Sequence, residues 1–330
     1  MKVLITGGTG FIGSNLALRC LKNGDIVRVL GQVNNDAEAK NGKLIKEKGA
    51  ELHLMSVTDD KERIFNIMQG IDIVYHLAAA QHEANVPDKF FYDVNVKGTE
   101  NILEASVRSG VKRFVHGSTI GVYGSALDGN IDEESPLQPD NIYGKTKLEG
   151  EKIVLSFNNR LPVVIIRIPE TYGPGDRRLL KLFKAINKNA FFMIGNGMNT
   201  HHLIYIDDLI NGLLVTATSK EAVGEVFVFA GKEPVTTNEM VETIAKVLGK
   251  KILGLRMPLL PFIGLSIIME KVLRPLGIQP PLHRRRMDFF KKNFLFSNDK
   301  SLKKTGFKPT FSFYKGVKAT AAWYIKNGYL

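Results

Sequence analysis

Tyr143 and Lys147 stand four residues apart in Tyr143-Gly-Lys145-Thr-Lys147, so on a helix they share one face. A phenol with an ordinary pKa near 10 is a poor acid or base at neutral pH unless a cation stabilises its phenolate. Lys147 is spaced to do that, whereas Lys145 points elsewhere. Upstream, His116-Gly-Ser118-Thr119 closes an apolar run. That position puts a hydroxyl at the carboxyl edge of a parallel strand, where open α/β sheets hold their ligands. Thr119 or Ser118 there can hydrogen-bond a substrate oxygen and would complete a triad.

A partner for that chemistry is implied at the start of the chain. Four apolar strand residues run into Gly7, Gly10 and Gly13, and a helix follows to Lys22. Glycines so spaced let the chain turn tightly, approach a pyrophosphate and pack its helix on the strand, with free amides facing the phosphates. Apolar runs recur at 3–6, 26–30, 51–55, 71–76, 113–117 and 163–168, with helices expected at 13–23, 61–69, 93–109 and 142–157. This alternation predicts an α/β fold, a Rossmann doubly wound parallel sheet with a smaller C-terminal α/β substrate lobe. The expected division is a dinucleotide-binding domain over 1–170 and a mainly substrate-binding lobe over 171–330, with 200–232 returning to the sheet through a last strand at 225–230.

Composition narrows the class. The chain has 330 residues, 44% of them hydrophobic, enough for a large core. The start leads into glycines rather than a long apolar segment, so a cytoplasmic location is expected, with no transmembrane segment. Cys20 is the single cysteine, which excludes an internal disulfide. The seven histidines are scattered rather than spaced as ligands, so no metal site is expected. A net charge of +12 suits a nucleotide cofactor and a phosphorylated small-molecule substrate without invoking nucleic acid. The apolar stretch 252–269, interrupted by Arg256, Pro258 and Pro261, reads as a helix over a pocket, with peripheral contact to a membrane as the alternative.

Taken together, these residues resemble the extended short-chain dehydrogenase/reductase family, the NAD-dependent epimerase/dehydratase type. The resemblance rests on Thr6-Gly-Gly-Thr-Gly-Phe-Ile-Gly13, His76-Leu-Ala-Ala79, Asn95-Val-Lys-Gly-Thr-Glu-Asn-Ile-Leu-Glu104, Ser118-Thr119 and Tyr143 to Lys147. Arg167 with Tyr172-Gly-Pro174, Tyr205-Ile-Asp-Asp-Leu209 and Gly306-Phe-Lys-Pro309 extend it along nearly the whole chain. It implies Tyr143 as acid–base, Lys147 on the nicotinamide ribose and Thr119 or Ser118 at the reacting oxygen. It further implies an NAD or NADP site formed by Gly7, Thr9, Gly10, Phe11, Ile12, Gly13, Ser56, Val57, Leu77, Ala78, Ala79, Tyr143, Lys147 and Pro169. Asn95 would brace the site, and a homodimer is the family expectation.

Departures from the family pattern bear on substrate. Ile120-Gly121 follows Thr119 where the sugar 4,6-dehydratases carry an Asp-Glu pair, which argues against water elimination. Pro169-Glu170 and His201 replace residues that often contact a nucleotide-sugar diphosphate, leaving Glu170, His201, Arg284 and Arg285 as substrate candidates. The expectation is hydride transfer at C4 of a nucleotide-sugar, by a 4-epimerase or 4-ketoreductase. The alternatives are a 3β-hydroxysteroid dehydrogenase or dihydroflavonol reductase-like enzyme on an apolar alcohol or ketone, and, more remotely, a non-catalytic scaffold. Gly31 closes the second strand where an acid would mark NAD, and Asp36 is the nearby candidate to compensate.

Overall fold

Lys2–Thr6 forms the first strand because four consecutive apolar or β-branched residues can be buried on both faces, as a central parallel strand requires. The computed structural model describes all residues except 82–85, 125–128, 253, 274–286 and 288. In chain order the first half comprises β1 (Lys2–Thr6), α1 (Phe11–Lys22), β2 (Ile26–Gly31), α2 (Asp36–Glu47), β3 (Glu51–Leu54), α3 (Lys61–Met68), β4 (Ile73–His76), α4 (Asp88–Tyr92), α5 (Gly98–Arg108), β5 (Arg113–Thr119), β6 (Asn130–Ile131), α6 (Ile142–Ser156) and β7 (Val163–Ile168). The second half adds β8 (Thr171–Tyr172), α7 (Leu180–Asn187), β9 (Met193–Ile194), β10 (Thr200–His201), β11 (Ile204–Tyr205), α8 (Ile206–Thr218), β12 (Val226–Val228), β13 (Val235–Thr236), α9 (Thr237–Leu248), β14 (Arg256–Met257), α10 (Leu259–Leu273), β15 (Leu295–Phe296), α11 (Asp299–Thr305) and α12 (Phe313–Lys326).

Seven strands form one parallel sheet in the order β12-β7-β5-β4-β1-β2-β3. The order reverses between β1 and β4, and there the carboxyl ends open the crevice in which doubly wound sheets hold ligands. β12 joins the far edge by pairing with β7, Val226 opposite Ile165. The shorter strands pair among themselves, β11 with β8, β14 with β9, β15 with β6 and β10 with β13. One apolar core runs from Val3 and Ala17 through Val164 and Phe227 to Val317 and Tyr324, while a second fills the opposite sheet face around Leu4, Val74 and Phe114.

α2 and the helix expected over 93–109 differ from the periodicity expected of the sequence. α2 was not foreseen, because its stretch is polar and interrupted by Gly42, and only Gly42 and Ile45 are buried. It is started by Asn35, whose side chain accepts from the amides of Ala37 and Glu38. The expected helix over 93–109 is α5 preceded by a single π-turn, Asp93–Lys97. Such widened turns recur at functional sites. Here the turn carries Asn95, whose side chain bonds Ala80 through both its oxygen and nitrogen, at 2.8 and 3.2 Å, and Thr146 Oγ1 at 3.0 Å.

Candidate active site

Gly7 has φ 66°, and a Cβ added there would stand 2.8 Å from the Ala78 nitrogen. At Gly13 it would stand 2.4 Å from the Gly7 carbonyl oxygen. Neither position accepts a side chain, so the turn and the first helical residues present bare backbone to the crevice. The N-cap of α1, Gly10, has no side chain to occupy the free amides, which remain directed outward. This cradle fits a dinucleotide pyrophosphate.

The cradle is one end of a cleft of about 920 Å³. Gly7, Thr9, Gly10, Phe11, Ile12, Gly13, Ser56, Val57, Leu77, Ala78, Ala79, Pro169, Ser118, Thr119, Tyr143 and Glu170 all line it. Thr9 shapes the second strand's end, donating its hydroxyl to the Gln32 carbonyl at 2.7 Å, and a Cβ at Gly31 would meet that hydroxyl. The acid lining this end is Glu38, from the unforeseen α2, rather than Asp36. No lining residue of β2 or α2 is basic.

β5 and α6 are brought together by a lack of side chains. A Cβ at Gly144 in the first turn of α6 would stand 2.5 Å from the Gly121 carbonyl oxygen, and one at Gly121 would approach Tyr143 Cδ1 to 3.9 Å. The Tyr143 ring therefore lies over the turn that follows Thr119. Asn141 starts α6 by accepting from the Gly144 amide at 3.0 Å. Thr119 Oγ1 accepts from the Gly121 amide at 3.1 Å, which leaves its hydroxyl proton for another acceptor.

Lys147 is not on the cleft wall but beneath it, 1% exposed. Its Nζ donates to the Gly117 carbonyl at 2.7 Å and lies 3.3 Å from His116 Nε2. Burial lowers its pKa to about 8, against the opposing pull of Glu151. His116 is held well below its ordinary value by burial and by the Lys147 charge, so its neutral ring accepts from the ammonium through Nε2. His76, pushed to about 3 by burial, bridges Thr6 Oγ1 at 2.8 Å and Thr99 Oγ1 at 3.0 Å.

Ser118 also reaches the cleft wall, but its hydroxyl points away from that of Thr119. Neighbouring strand residues face opposite ways, and the Ser118 hydroxyl donates to Glu151. Glu151 in turn is clamped by Arg167, whose Nη2 and Nε reach it at 3.0 and 3.2 Å. Arg167 Nη1 continues to Tyr123 Oη at 2.8 Å and the Glu133 carbonyl at 3.1 Å. Glu151 belongs to none of the sequence motifs. Its signal was the four-residue step from Lys147, which puts it one turn further along the same helix.

His201 likewise stands behind the cleft. It is buried, with Nδ1 3.1 Å from Glu170 Oε2 and Nε2 3.1 Å from Thr237 Oγ1. Glu170 is 32% exposed. Burial acts to raise its pKa, but the hydrogen bond and charge of His201, with Arg178 and Lys292, bring it below the ordinary carboxylate value. Arg284 and Arg285 lie outside the described residues. Among the described residues the basic side chains that line the cleft are Arg177, Arg178, Lys181 and Lys292, which belong to no motif of the sequence. Arg178 is braced by the Thr171 carbonyl at 2.9 Å. Among the described residues no cluster of potential ligands could hold a metal ion.

The sheet order and the glycine cradle define a Rossmann-type enzyme fold with its cleft at the topological switch point. The chain belongs to the NAD dependent epimerase/dehydratase family, whose model matches residues 3–230. Members of this family are NAD-dependent enzymes. The chain is 26% identical to a 3beta-hydroxysteroid-dehydrogenase/decarboxylase (isoform 2) of Arabidopsis thaliana over 96% of its own length, and spans 61% of that relative. It is 29% identical to the N-acetyl-alpha-D-glucosaminyl-diphospho-ditrans,octacis-undecaprenol 4-epimerase of Escherichia coli O157:H7, over 78% of this chain and 75% of that one. The crystal structure of the UDP-glucuronic acid 4-epimerase from Bacillus cereus in complex with NAD superposes with a TM-score of 0.81 at 26% identity, covering both chains completely.

Proposed function

We propose that the protein is a 4-epimerase of a sugar diphosphate that uses NAD without releasing it between half-reactions. The observation that carries this reading is the meeting, in one cleft, of Thr119 and Tyr143 with a glycine cradle and four basic residues, Arg177, Arg178, Lys181 and Lys292. NAD, when bound, supplies the hydride acceptor and later donor at the ring carbon. Tyr143 takes the proton from the ring hydroxyl as that carbon loses hydride, giving a ketone, and returns it when hydride comes back to the opposite face. Thr119 donates its remaining hydroxyl proton to the same oxygen. Lys147 lowers the cost of the phenolate from below. The basic residues hold the diphosphate, since guanidinium groups bind phosphate oxygens in pairs.

Ile120 and Gly121 carry no acid or base for elimination, which favours epimerisation over dehydration. Glu38, one of whose oxygens is held by the Asn34 amide, would accept from the adenosine ribose hydroxyls with the other, which favours NAD over NADP. Incubation with UDP-hexoses should interconvert the C4 epimers with no net absorbance from reduced cofactor. Stoichiometric NADH formed from a sterol or other apolar alcohol, with every sugar diphosphate unchanged, would replace this reading by the steroid-dehydrogenase one.

The Lys147 ammonium gives a pH test. Below pH 8 it is charged and supports the phenolate; above, the neutral amine does not, so kcat/KM should fall on the alkaline side with an apparent pKa near 8. Stability moves the other way. The folded value, about 8, lies below the ordinary 10.5, so between them the unfolded chain binds more protons and this group's contribution to stability rises with pH. Melting temperatures and rates measured across that interval should show opposite slopes, and Lys147→Met should remove this group's share of the first.

A further inference from the structure

α10 is apolar on every side, yet only one side is covered. Helices of that kind are ordinarily enclosed by protein or lie in lipid. Leu260 is 80% exposed, Ile268 61%, Val272 55% and Leu265 47%, and their spacing of three to five residues puts them on one stripe. Leu255 and Met257, just before the helix, are also exposed, as is Phe192, whose ring packs at 6.0 Å from that of Phe262. β14 and β9 tie these segments together, with Arg256 Nη1 donating to the Asn196 carbonyl at 2.6 Å.

The surrounding charge says what covers the stripe. Segments 181–198 and 246–273, which carry these residues, hold eight basic residues and a single acid, Glu270. Lys184, Lys188, Lys251, Arg256 and Lys271 are exposed. Two copies meeting face to face would bring like charges together, whereas an anionic bilayer neutralises them, at about 1 kcal/mol for each basic side chain near the surface. With fifteen residues the helix is about 22 Å long, short of the ~30 Å hydrocarbon layer. Among the described residues no helix is long and apolar enough to cross a membrane.

We propose that the outer face of α10, with its flanking basic residues, seats the protein on the surface of a membrane rich in anionic lipid. The helix lies in the interface with Leu260, Leu265, Ile268 and Val272 among the acyl chains and the lysines at the phosphates. α7 links this face to the cleft, because Lys181 in its first turn lines the cleft and the chain beyond its end leads into Phe192. The proposal stands on this surface alone, whatever the cleft turns over.

The test is flotation of the full chain with phosphatidylcholine vesicles that contain or lack phosphatidylglycerol. The expected result is binding only to the anionic vesicles, weakened by salt, and reduced about tenfold or more in Leu260→Glu/Ile268→Glu. A second readout does not depend on that variant's folding. Cys20 is buried, so a solvatochromic dye attached to Leu260→Cys should report only this site and shift to the blue on anionic vesicles. An unshifted dye, or equal binding by wild type and the double variant, overturns the proposal. So does a wild-type dimer that ignores vesicles and that Leu260→Glu/Ile268→Glu splits, which would assign the face to a second copy.

Discussion

Tyr143→Phe lowers kcat by about 10²- to 10⁴-fold while the melting temperature and the binding of NAD stay at wild-type values, the loss expected when one positioned acid–base group is removed. The residue lies at the cleft surface over Gly121, and its ring remains in place when only the hydroxyl is deleted. Thr119→Val should cost rate as well, because the hydroxyl that already accepts from the Gly121 amide has one proton left to give. Ser118→Ala should leave kcat near wild type, since its hydroxyl is spent on Glu151. A kcat for Tyr143→Phe within threefold of wild type (about 0.7 kcal/mol) would remove Tyr143 from the mechanism; a larger loss with Ser118→Ala than with Thr119→Val would exchange their roles.

The second large effect is on stability. Arg167→Met leaves the Glu151 carboxylate buried without its guanidinium and takes a donor from Tyr123, at a cost of about 3–5 kcal/mol. The two side chains of the pair are 4% and 3% exposed, so the charge has little water to turn to. Tyr123 is held protonated, its pKa pushed up to about 12 mainly by burial, and still donates to the Asp132 carbonyl at 2.7 Å. The double substitution Arg167→Met/Glu151→Leu should recover much of the loss, as expected when the penalty is an unpaired buried charge rather than a missing attraction. Urea unfolding of the four proteins measures this; equal losses in the single and double variants would contradict it.

The central sheet could be read from the chain because its strands are continuous apolar runs ended by glycine or polar residues, so β1, β2, β4, β5 and β7 are visible as composition alone. The glycine turn at one end of the cleft was equally legible, for backbone positions that exclude a Cβ have no substitute for glycine. The rest depended on pairings between distant segments. Apart from the cap at Asn35, little in Asp36–Glu47 marks the helix that brings Glu38 to the cleft, since its buried face is only two residues wide. That the Ser118 hydroxyl turns to Glu151 and that of Thr119 does not is a matter of strand phase, fixed by where Glu151 and Arg167 lie. His201 and Glu170, far apart in the chain, become a single hydrogen-bonded unit once β10 and the end of β7 are folded. Likewise Arg177, Arg178 and Lys181 carry no motif, and only the turn after β8 aims them inward.

The core that runs from Val3 to Tyr324 has a consequence for how the chain is made. Tyr172 packs where Gly316 has no side chain, and Tyr324 Oη donates to the Asp176 carbonyl at 2.7 Å, so α12, made last, closes over β8 and the turn that follows it. A ribosome adds about 5–20 residues per second. Between synthesis of Asp176 and of Tyr324 the nascent chain therefore lacks this cover for on the order of 7–30 s. Packing around the turn after β8 is therefore complete only when the last helix of the chain has been made.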